Sequence, residues 1–394
     1  MTEIILDITR LLSRVLHPTP TGVDRVEMAY ARGLLEAVPD RLHFAAVHPS
    51  GVYGRLPTKA VTRFLDVTEQ RWREEGLGEQ SLRIFAAKAL LSLRPRVARR
   101  SEKSLYLQPS PNNLIKPALM RTFLKRENAR LVCLVHDLIP IQYPEYARPG
   151  GADLHARRMW TVASMSDGII ANSQATLDAL QPWLDRAGKQ PLTTVAHLGT
   201  EMHERVIPHA SERPYFVCVG TIEPRKNHLL LLHLWRTMAE RLGPQKMPKL
   251  VLIGRRGWEN EQVIDLLERC PALKDTVEEH SGLPDAQVQA LIAGARGLLL
   301  PSFAEGYGMP VTEALALGVP VACSDLPALR EAGGDAPLFL DPLDGPAWQR
   351  AIDDLAGGDS PERSAQMRRM AGWKAPTWRE HIAIVLGLLH KLAP

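Results

Sequence analysis

The fold is decided by the stretch Ser302-Phe303-Ala304-Glu305-Gly306-Tyr307-Gly308-Met309-Pro310-Val311-Thr312-Glu313. It follows an apolar run, Gly297 to Leu300, that is typical of a buried strand. It leads into a segment from Val311 to Leu317 that we predict to be a helix. Pro310 suits the first turn of a helix, and Gly318 suits the position after its end. The stretch therefore predicts a strand, a loop and a helix in succession, as in a parallel α/β fold.

The loop in this stretch has the features of an anion-binding site. Gly306 and Gly308 have no side chain, so the backbone can approach a ligand closely. Free N–H groups at the helix start, Val311-Thr312, would attract negative charge. Two carboxylates, Glu305 and Glu313, bracket the loop. Carboxylates would repel a bound anion, so their presence is best explained if they bind the hydroxyls of a sugar and a ribose. A plain strand–loop–helix connection is the simpler alternative.

Residues 305–321, E-G-Y-G-M-P-V-T-E-A-L-A-L-G-V-P-V, resemble the E-x7-E region of the retaining family 4 glycosyltransferases, which have the GT-B fold. The resemblance implies that Glu305 contacts the donor sugar and that Glu313 holds the ribose of the nucleotide. It also implies that the rest of the loop and the helix start line the donor: Gly306, Tyr307, Gly308, Met309, Val311 and Thr312.

A second motif, G-T-I-E-P-R-K-N at residues 220–227, follows another apolar run. Turns at the carboxyl ends of parallel strands are where ligands bind in open α/β folds. Arg225 and Lys226 offer two cations there, and the arginine fork suits phosphate oxygens. The motif resembles the phosphate-binding turn of the same family, in which the basic pair neutralises the leaving nucleotide. A surface pair at a helix start is the alternative.

Other candidate residues lie outside these two motifs. Val135-His136-Asp137-Leu138-Ile139-Pro140 resembles the family segment whose histidine faces the donor sugar across the cleft. Asp137 would either orient His136 or bind acceptor, and a satisfied loop histidine is the alternative. Gly22 stands in the first strand-to-helix turn, where the family is glycine-rich, and points to acceptor recognition. Gly282 and Leu283 precede a helix in the region where the family holds the base.

We predict no catalytic metal and no cofactor. The sequence has neither an Asp-x-Asp pair nor a histidine cluster at metal-ligand spacing. Arg225, Lys226 and the helix start can supply the charge stabilisation instead. The four cysteines are scattered, which favours buried free thiols in a reducing cytoplasm. The N-terminal segment is typical of a strand rather than a signal peptide, and no apolar run is long enough to span a bilayer.

A chain of 394 residues, 45% hydrophobic and 23% charged, is large enough for two globular domains. Strand-like and helix-like segments alternate along both halves, and the polar segment from Glu201 to Pro214 separates them as a predicted linker. With the resemblance, this implies an α/β protein of the GT-B type, with two Rossmann-like parallel-sheet domains facing a central cleft. We expect residues 1–205 on the acceptor side and 206–377 on the nucleotide-sugar side, with 378–394 packing back on the first domain.

The positive charge is concentrated in the first half. Residues 1–200 hold 27 Lys and Arg against 19 Asp and Glu, and residues 83–130 alone hold 12 basic residues against two acidic ones. That stretch also has apolar clusters, so it predicts a partly amphipathic surface that docks on anionic lipid. A solvated helix face is the alternative, and no motif supports binding to nucleic acid. The basic residues closest together are Arg94, Arg96, Arg99 and Arg100.

These features predict a retaining, metal-independent glycosyltransferase that moves a hexose from a nucleotide-diphosphate sugar to a saccharide or lipid-linked acceptor. The segment Asp137-Leu138-Ile139-Pro140 resembles bacterial mannosyltransferases for surface polysaccharide, which makes GDP-mannose the expected donor. The expected location is the cytoplasm, with peripheral contact at the inner membrane. Three alternatives stay open: a GT-B-fold sugar-nucleotide epimerase, a UDP-sugar-dependent transferase of the same family, and a non-catalytic membrane- or nucleic-acid-binding protein.

Overall fold

The computed structural model describes residues 2–48, 51–73, 79–97, 102–202, 205–357 and 360–393. Arg99 and Arg100 of the predicted basic stretch lie outside the described residues. The chain forms two compact units. Unit 1 consists of Met1–Ile141, Gly150–Gly199 and Thr377–Pro394, and unit 2 consists of Gln142–Pro149 and Thr200–Pro376.

Unit 1 is built on a seven-stranded sheet. Its strands are β1 (Glu3–Asp7), β2 (Leu42–Val47), β3 (Tyr53–Leu56), β4 (Ser104–Gln108), β5 (Ala129–Val135), β6 (Gly168–Ala171) and β7 (Leu192–Val195). They lie in the order β3-β2-β1-β4-β5-β6-β7. All neighbouring pairs are parallel except β2 and β3. The parallel α/β prediction is confirmed, and the antiparallel edge strand β3 is an addition to it.

The helices of the first half are α1 (Thr9–Ser13), α2 (Gly22–Ala37), α3 (Thr58–Arg73), α4 (Glu79–Ser92), α5 (Pro117–Glu127), α6 (Ile139–Gln142), α7 (Gly151–Met165) and α8 (Gln174–Ala187). Central strands such as β5 are buried from Leu131 to Val135, as expected for a parallel sheet covered on both faces. The predicted serine cap is confirmed, because the Ser173 hydroxyl accepts a hydrogen bond from the Thr176 N–H at 3.0 Å where α8 begins.

The sequence did not predict β3, and a charged residue explains why. Arg55 stands in the middle of this four-residue strand and is buried, which an alternating apolar pattern does not suggest. Its guanidinium is neutralised by Glu3 at 2.6 Å and by Glu127 at 2.8 Å. Two distant carboxylates therefore make a buried arginine tolerable in the strand, and only the folded chain brings them together.

Unit 2 is built on a six-stranded sheet in which every neighbouring pair is parallel. Its strands are β8 (Tyr215–Val219), β9 (Lys249–Ile253), β10 (Val277–His280), β11 (Gly297–Leu300), β12 (Val321–Ser324) and β13 (Leu338–Leu340). Its helices are α9 (His228–Leu242), α10 (Glu261–Arg269), α11 (Asp285–Ala293), α12 (Met309–Ala316), α13 (Pro327–Gly333), α14 (Gly345–Ala356) and α15 (Pro361–Ala371). Alternate strand side chains pack into separate hydrophobic clusters on the two faces of the sheet.

The strand order of unit 2 indicates where on the sheet a ligand would bind. The order is β10-β9-β8-β11-β12-β13, so the chain runs outward from β8 to β10 and then crosses over to β11. The loops after β8 and β11 consequently leave the sheet in opposite directions. The crevice between them is the topological switch point, where open α/β sheets bind ligands. Both sequence motifs of this unit, residues 220–227 and the loop containing Glu305, follow these two strands.

The last helix, α16 (Trp378–Leu392), belongs to unit 1 and packs against α2, β6 and β7. His381 fixes it there, because its ring nitrogens lie 2.9 Å from the His197 carbonyl oxygen and 2.8 Å from the Tyr30 hydroxyl. A Cβ atom on Gly199 would lie 2.2 Å from the backbone nitrogen of Trp378, so only glycine permits this approach.

The four cysteines are free: Cys133, Cys218 and Cys323 are buried and Cys270 is half-buried. The expectation of buried thiols therefore holds for three of the four residues. Across the described part of the chain, every helix is too short or too polar to cross a membrane.

Candidate active site

The quoted stretch forms the predicted loop and helix at the switch point of unit 2. Helix α12 begins at Met309, two residues before the predicted start, and Pro310 lies in its first turn. Gly308 precedes the helix with φ = 105°, in the left-handed region that favours glycine. A Cβ atom on Gly308 would also lie 2.4 Å from the Leu329 side chain. Both constraints fix glycine at this position of the loop.

An ion cluster joins the two loops at the switch point. The Lys226 ammonium lies 2.5 Å from Glu305 Oε1, and Arg225 Nη1 lies 3.0 Å from Glu305 Oε2. Arg225 also donates to the Ala304 carbonyl oxygen at 2.5 Å. Its own carbonyl oxygen accepts from the Phe303 N–H at 2.8 Å. The structure thus brings together Arg225, Lys226 and Glu305, three residues that the sequence analysis selected from motifs 80 positions apart.

The cluster sets the charge of Glu305. Burial by itself would raise the pKa of this carboxyl, but the charges of Lys226 and Arg225 outweigh burial and lower the pKa to about 2. The side chains of Glu305 and Lys226 are only 8% and 9% exposed. Glu305 is therefore a desolvated, fully ionised acceptor of hydrogen bonds at neutral pH. It is suited to hold hydroxyl groups rather than to donate a proton.

Two further residues complete the cluster, and the sequence analysis gave them no role. Glu223 Oε1 accepts from Arg225 Nε at 3.0 Å and from Nη2 at 2.7 Å. His228, the first residue of α9, is buried, and burial together with the Lys226 charge lowers its pKa to about 3. The signal for Glu223 was its position two residues before Arg225. No comparable signal marked His228, because its neutrality depends on burial under the folded loop.

The predicted role of the helix start needs a correction. The Val311 N–H donates to the Gly308 carbonyl oxygen at 2.9 Å, so it is not a free donor as predicted. The side chain of Val311 lies in the core, and the buried Thr312 hydroxyl donates to the Met309 carbonyl oxygen at 3.0 Å. The Tyr307 ring is buried as well. The helix begins earlier than predicted and its first turn is tight. The Val311 N–H and the Thr312 hydroxyl therefore form hydrogen bonds within that turn.

The remaining donor-side candidates occupy different environments. Glu313 lies in α12 and is half-buried, as are Gly306 and Met309. Gly282 is exposed in the loop between β10 and α11, whereas Leu283 packs against the hydrophobic cluster on one face of the sheet. The Leu283 side chain therefore packs in the protein interior, which leaves less of it to contact a nucleotide base.

His136 lies at the carboxyl end of β5 in unit 1. Its Nε2 atom is 2.8 Å from the Pro109 carbonyl oxygen, and burial lowers the pKa of the ring. Because a carbonyl oxygen only accepts, Nε2 carries the proton and Nδ1 is the acceptor. Asp137 does not hold the ring: its Oδ1 atom accepts from the Ile139 N–H at 3.1 Å. Of the two roles predicted for Asp137, orientation of His136 by its carboxylate is therefore not seen.

Gly22 does not stand in the turn after β1. Helix α1 lies between them, and Gly22 is the first residue of α2. A capping box formed by Thr21 and Asp24 fixes the start of α2. The predicted strand-to-helix turn at this position is wrong, because the short helix Thr9–Ser13 follows β1 and the capping box starts α2 only at Gly22.

In the ranges that the structure describes, no group of three or more His, Cys, Asp or Glu side chains is arranged to hold a metal ion. The charged groups at the switch point of unit 2 are instead two cations and two carboxylates in contact.

Residues 200–371, which include this cluster, match the family model of glycosyl transferases group 1. Residues 200–371 are therefore similar to a group 1 glycosyltransferase domain. It is 36% identical over 164 residues to the O-antigen chain mannosyltransferase B of Escherichia coli, covering 42% of each chain. It is 27% identical over 220 residues to the serotype-specific mannosyltransferase WbdA of Escherichia coli, covering 50% of this chain and 26% of the relative. The chain thus spans less than half the length of these curated relatives.

The fold of the whole chain agrees with this domain. The structure of sucrose-phosphate synthase from Thermosynechococcus elongatus superposes with a TM-score of 0.66 at 16% sequence identity, covering 100% of this chain and 99% of that one. At this identity the likeness concerns the fold alone. The GT-B fold expected from the sequence is confirmed.

The depressed pKa of Glu305 leads to a prediction about acid stability. Its folded pKa of about 2 lies below its ordinary value of 4.5, so the stabilisation is complete above pH 4.5 and is lost as the pH falls towards 2. We expect the free energy of unfolding of wild type, relative to Glu305→Gln, to fall by about 3 kcal/mol over that range. Denaturant unfolding at several pH values measures this difference. The exposed Glu240→Gln variant is the control, and a wild-type advantage that does not change with pH would contradict the assignment.

Proposed function

We propose that the protein is a retaining, metal-independent glycosyltransferase that moves mannose from GDP-mannose to a saccharide or lipid-linked acceptor in the synthesis of bacterial surface polysaccharide. The observation that carries the proposal is the contact of Glu305 with Lys226 and Arg225 at the switch point of unit 2. The names of the two curated relatives support mannose as the sugar. The E-x7-E resemblance supports retention of the anomeric configuration.

The cluster suits a sugar joined to a diphosphate. An ammonium group has three N–H donors, and the bond to Glu305 uses one of them, so Lys226 can also bind phosphate oxygen. The ionised Glu305 accepts hydroxyl groups of the sugar. Lys226 would then stand between the sugar and the diphosphate, next to the bond that breaks. In this proposal Glu313 binds the ribose, and the backbone of Gly306 to Met309 faces the sugar.

Arg225 and Lys226 stabilise the departing nucleotide in this proposal. Negative charge on the diphosphate grows as the glycosidic bond breaks, so contacts with fixed cations strengthen in the transition state. Glu223 and the Ala304 carbonyl oxygen hold the Arg225 guanidinium in place, which lowers the cost of reorganisation. The leaving phosphate takes the proton of the acceptor hydroxyl in a front-face reaction. His136 contributes a neutral hydrogen-bond acceptor through Nδ1.

The test is a donor screen with product analysis. We expect transfer of mannose from GDP-mannose to a mannoside acceptor, equal rates with and without EDTA, and an α-linked product. Glu305→Gln should reduce the transfer rate at least about 100-fold, as for loss of one preorganised polar group, while the affinity for GDP changes little.

The control is Glu240→Gln, an exposed carboxylate of unit 2. If transfer occurs only from UDP-sugars, the donor is a UDP-sugar and the assignment of GDP-mannose is wrong. Conversion of the sugar nucleotide without acceptor would indicate an epimerase, and loss of activity in EDTA that a divalent ion restores would refute the metal-free mechanism.

We also propose that α4 and the residues after it dock on an anionic membrane surface. Ile84 and Leu91 are exposed on this helix, at 51% and 63%, and Val97 is exposed beyond it. Lys88, Arg94 and Arg96 are exposed on the same segment. Apolar side chains flanked by basic ones favour the interface of an anionic bilayer.

Vesicle sedimentation tests this docking. Wild type should sediment with phosphatidylglycerol vesicles at low salt, and replacing Lys88 and Arg94 with Gln should weaken binding by about 2 kcal/mol, or about 1 kcal/mol for each charge. The matched control replaces the exposed Lys274 and Arg350 of unit 2 with Gln. Equal weakening by both double variants, or no sedimentation of wild type, would contradict a docking surface on this segment.

A further inference from the structure

Unit 1 carries a second cluster of charges at the carboxyl edge of its sheet. Its strand order changes direction between β1 and β4, so this edge has its own switch point. Arg10 and Arg14 follow β1, and Arg158 lies on α7. All three residues are half-buried rather than fully exposed. None of them belongs to the motifs of the proposed donor site.

One carboxylate is shared by two of these arginines. Arg10 Nε lies 2.6 Å from Asp24 Oδ1, and Arg14 Nε lies 2.8 Å from Asp24 Oδ2. Asp24 also accepts from the Thr21 N–H at 2.7 Å and from the Thr21 hydroxyl at 2.8 Å. The hydrogen-bonding capacity of Asp24 is therefore used, while each arginine fork has further donors.

Arg158 adds a third positive charge, and no carboxylate of the described residues pairs with it. His155, three residues earlier on the same face of α7, approaches the Asp137 carbonyl oxygen at 3.0 Å, which places this face over the loop after β5. Among the described residues, the buried Nε atom of Arg158 has no hydrogen-bond partner. Burial, and to a smaller extent the positive charge of Arg10, lowers the pKa of Arg158. The two positively charged guanidiniums therefore repel each other.

Two buried acids near this edge, Asp7 and Glu27, are engaged elsewhere. Asp7 is saturated by Thr9, Tyr53 and Asn113 inside the sheet edge. Burial and the charge of Asp7 raise the pKa of Glu27 to about 8, so Glu27 is largely protonated at neutral pH. In the part of the chain that the structure describes, neither acid pairs with Arg10, Arg14 or Arg158, so the further donors of these arginines are not used by them. An unpaired buried donor is costly unless a ligand supplies the acceptor.

We propose that Arg10, Arg14 and Arg158 bind a phosphate group of the acceptor. This inference rests on the proposed function and narrows its acceptor to sugars that carry a phosphate ester or a diphosphate link. Arginine forks match phosphate oxygens in charge and geometry, and three of them at one edge suit a doubly charged group. The oxygens would satisfy Arg158 Nε, which the protein leaves unpaired.

Calorimetric titration with inorganic pyrophosphate, into protein saturated with GDP, tests the site. GDP occupies the donor diphosphate site, so the pyrophosphate signal reports on the other one. Arg158→Gln should weaken pyrophosphate binding about tenfold or more, the size expected for loss of a charged hydrogen bond. Arg157→Gln, one residue earlier and exposed, removes the same charge from the same helix and should change affinity less than about twofold.

Among the described residues Arg158 Nε has no hydrogen bond to lose, so Arg158→Gln should keep the wild-type melting temperature, which verifies its fold. No pyrophosphate binding by GDP-saturated wild type, or equal affinity of Arg158→Gln and wild type, would overturn the proposal. A matching loss of GDP-mannose affinity in Arg158→Gln would assign the phosphate to the donor and overturn its assignment to the acceptor. If wild type binds no nucleoside diphosphate, the proposed function fails, while the comparison of Arg158→Gln with Arg157→Gln still tests the phosphate site.

Discussion

The contact of Glu305 with Lys226 and Arg225 is the interaction on which the unit 2 site depends. It spans the gap between the loops after β8 and β11, at the point where the chain changes direction across the sheet. Desolvation alone would favour a neutral Glu305, and two cations reverse that preference. The same contact places two cations, which can bind a diphosphate, beside a carboxylate, which can accept hydrogen bonds from sugar hydroxyls. A sugar joined to a diphosphate requires this combination.

The parts of this site that the sequence predicted are those with local signals. Gly308 and Pro310 mark a strand–loop–helix unit, and the glycine, proline and adjacent cations of residues 220–227 mark a turn after a strand, so their elements were placed within a few residues. The parts that it missed depend on distant partners. Buried Arg55 needs Glu3 and Glu127, and the Val311 N–H is used by a turn whose tightness only the backbone reveals. Pairing across long separations leaves no periodic pattern in one sequence.

The two units use the same topological position for different charges. Unit 2 matches its two cations with two carboxylates, Glu223 and Glu305, and so holds them rigidly before a ligand arrives. In unit 1 two arginines share one saturated carboxylate, and Arg158 Nε has no hydrogen-bond partner among the residues that the structure describes. If the proposed roles are right, the unit 2 cluster is preorganised for the donor and the arginines of unit 1 attract a negatively charged acceptor.

The affinity for nucleoside diphosphate against nucleoside monophosphate tests the central claim most directly. GDP and GMP, and the uridine pair, are titrated into wild type and Lys226→Ala under the same salt conditions. If the cluster binds the diphosphate, wild type prefers the diphosphate of its own base by about tenfold or more, and Lys226→Ala loses most of that preference. An undiminished preference in Lys226→Ala would mean that the second phosphate is bound elsewhere and would contradict the account.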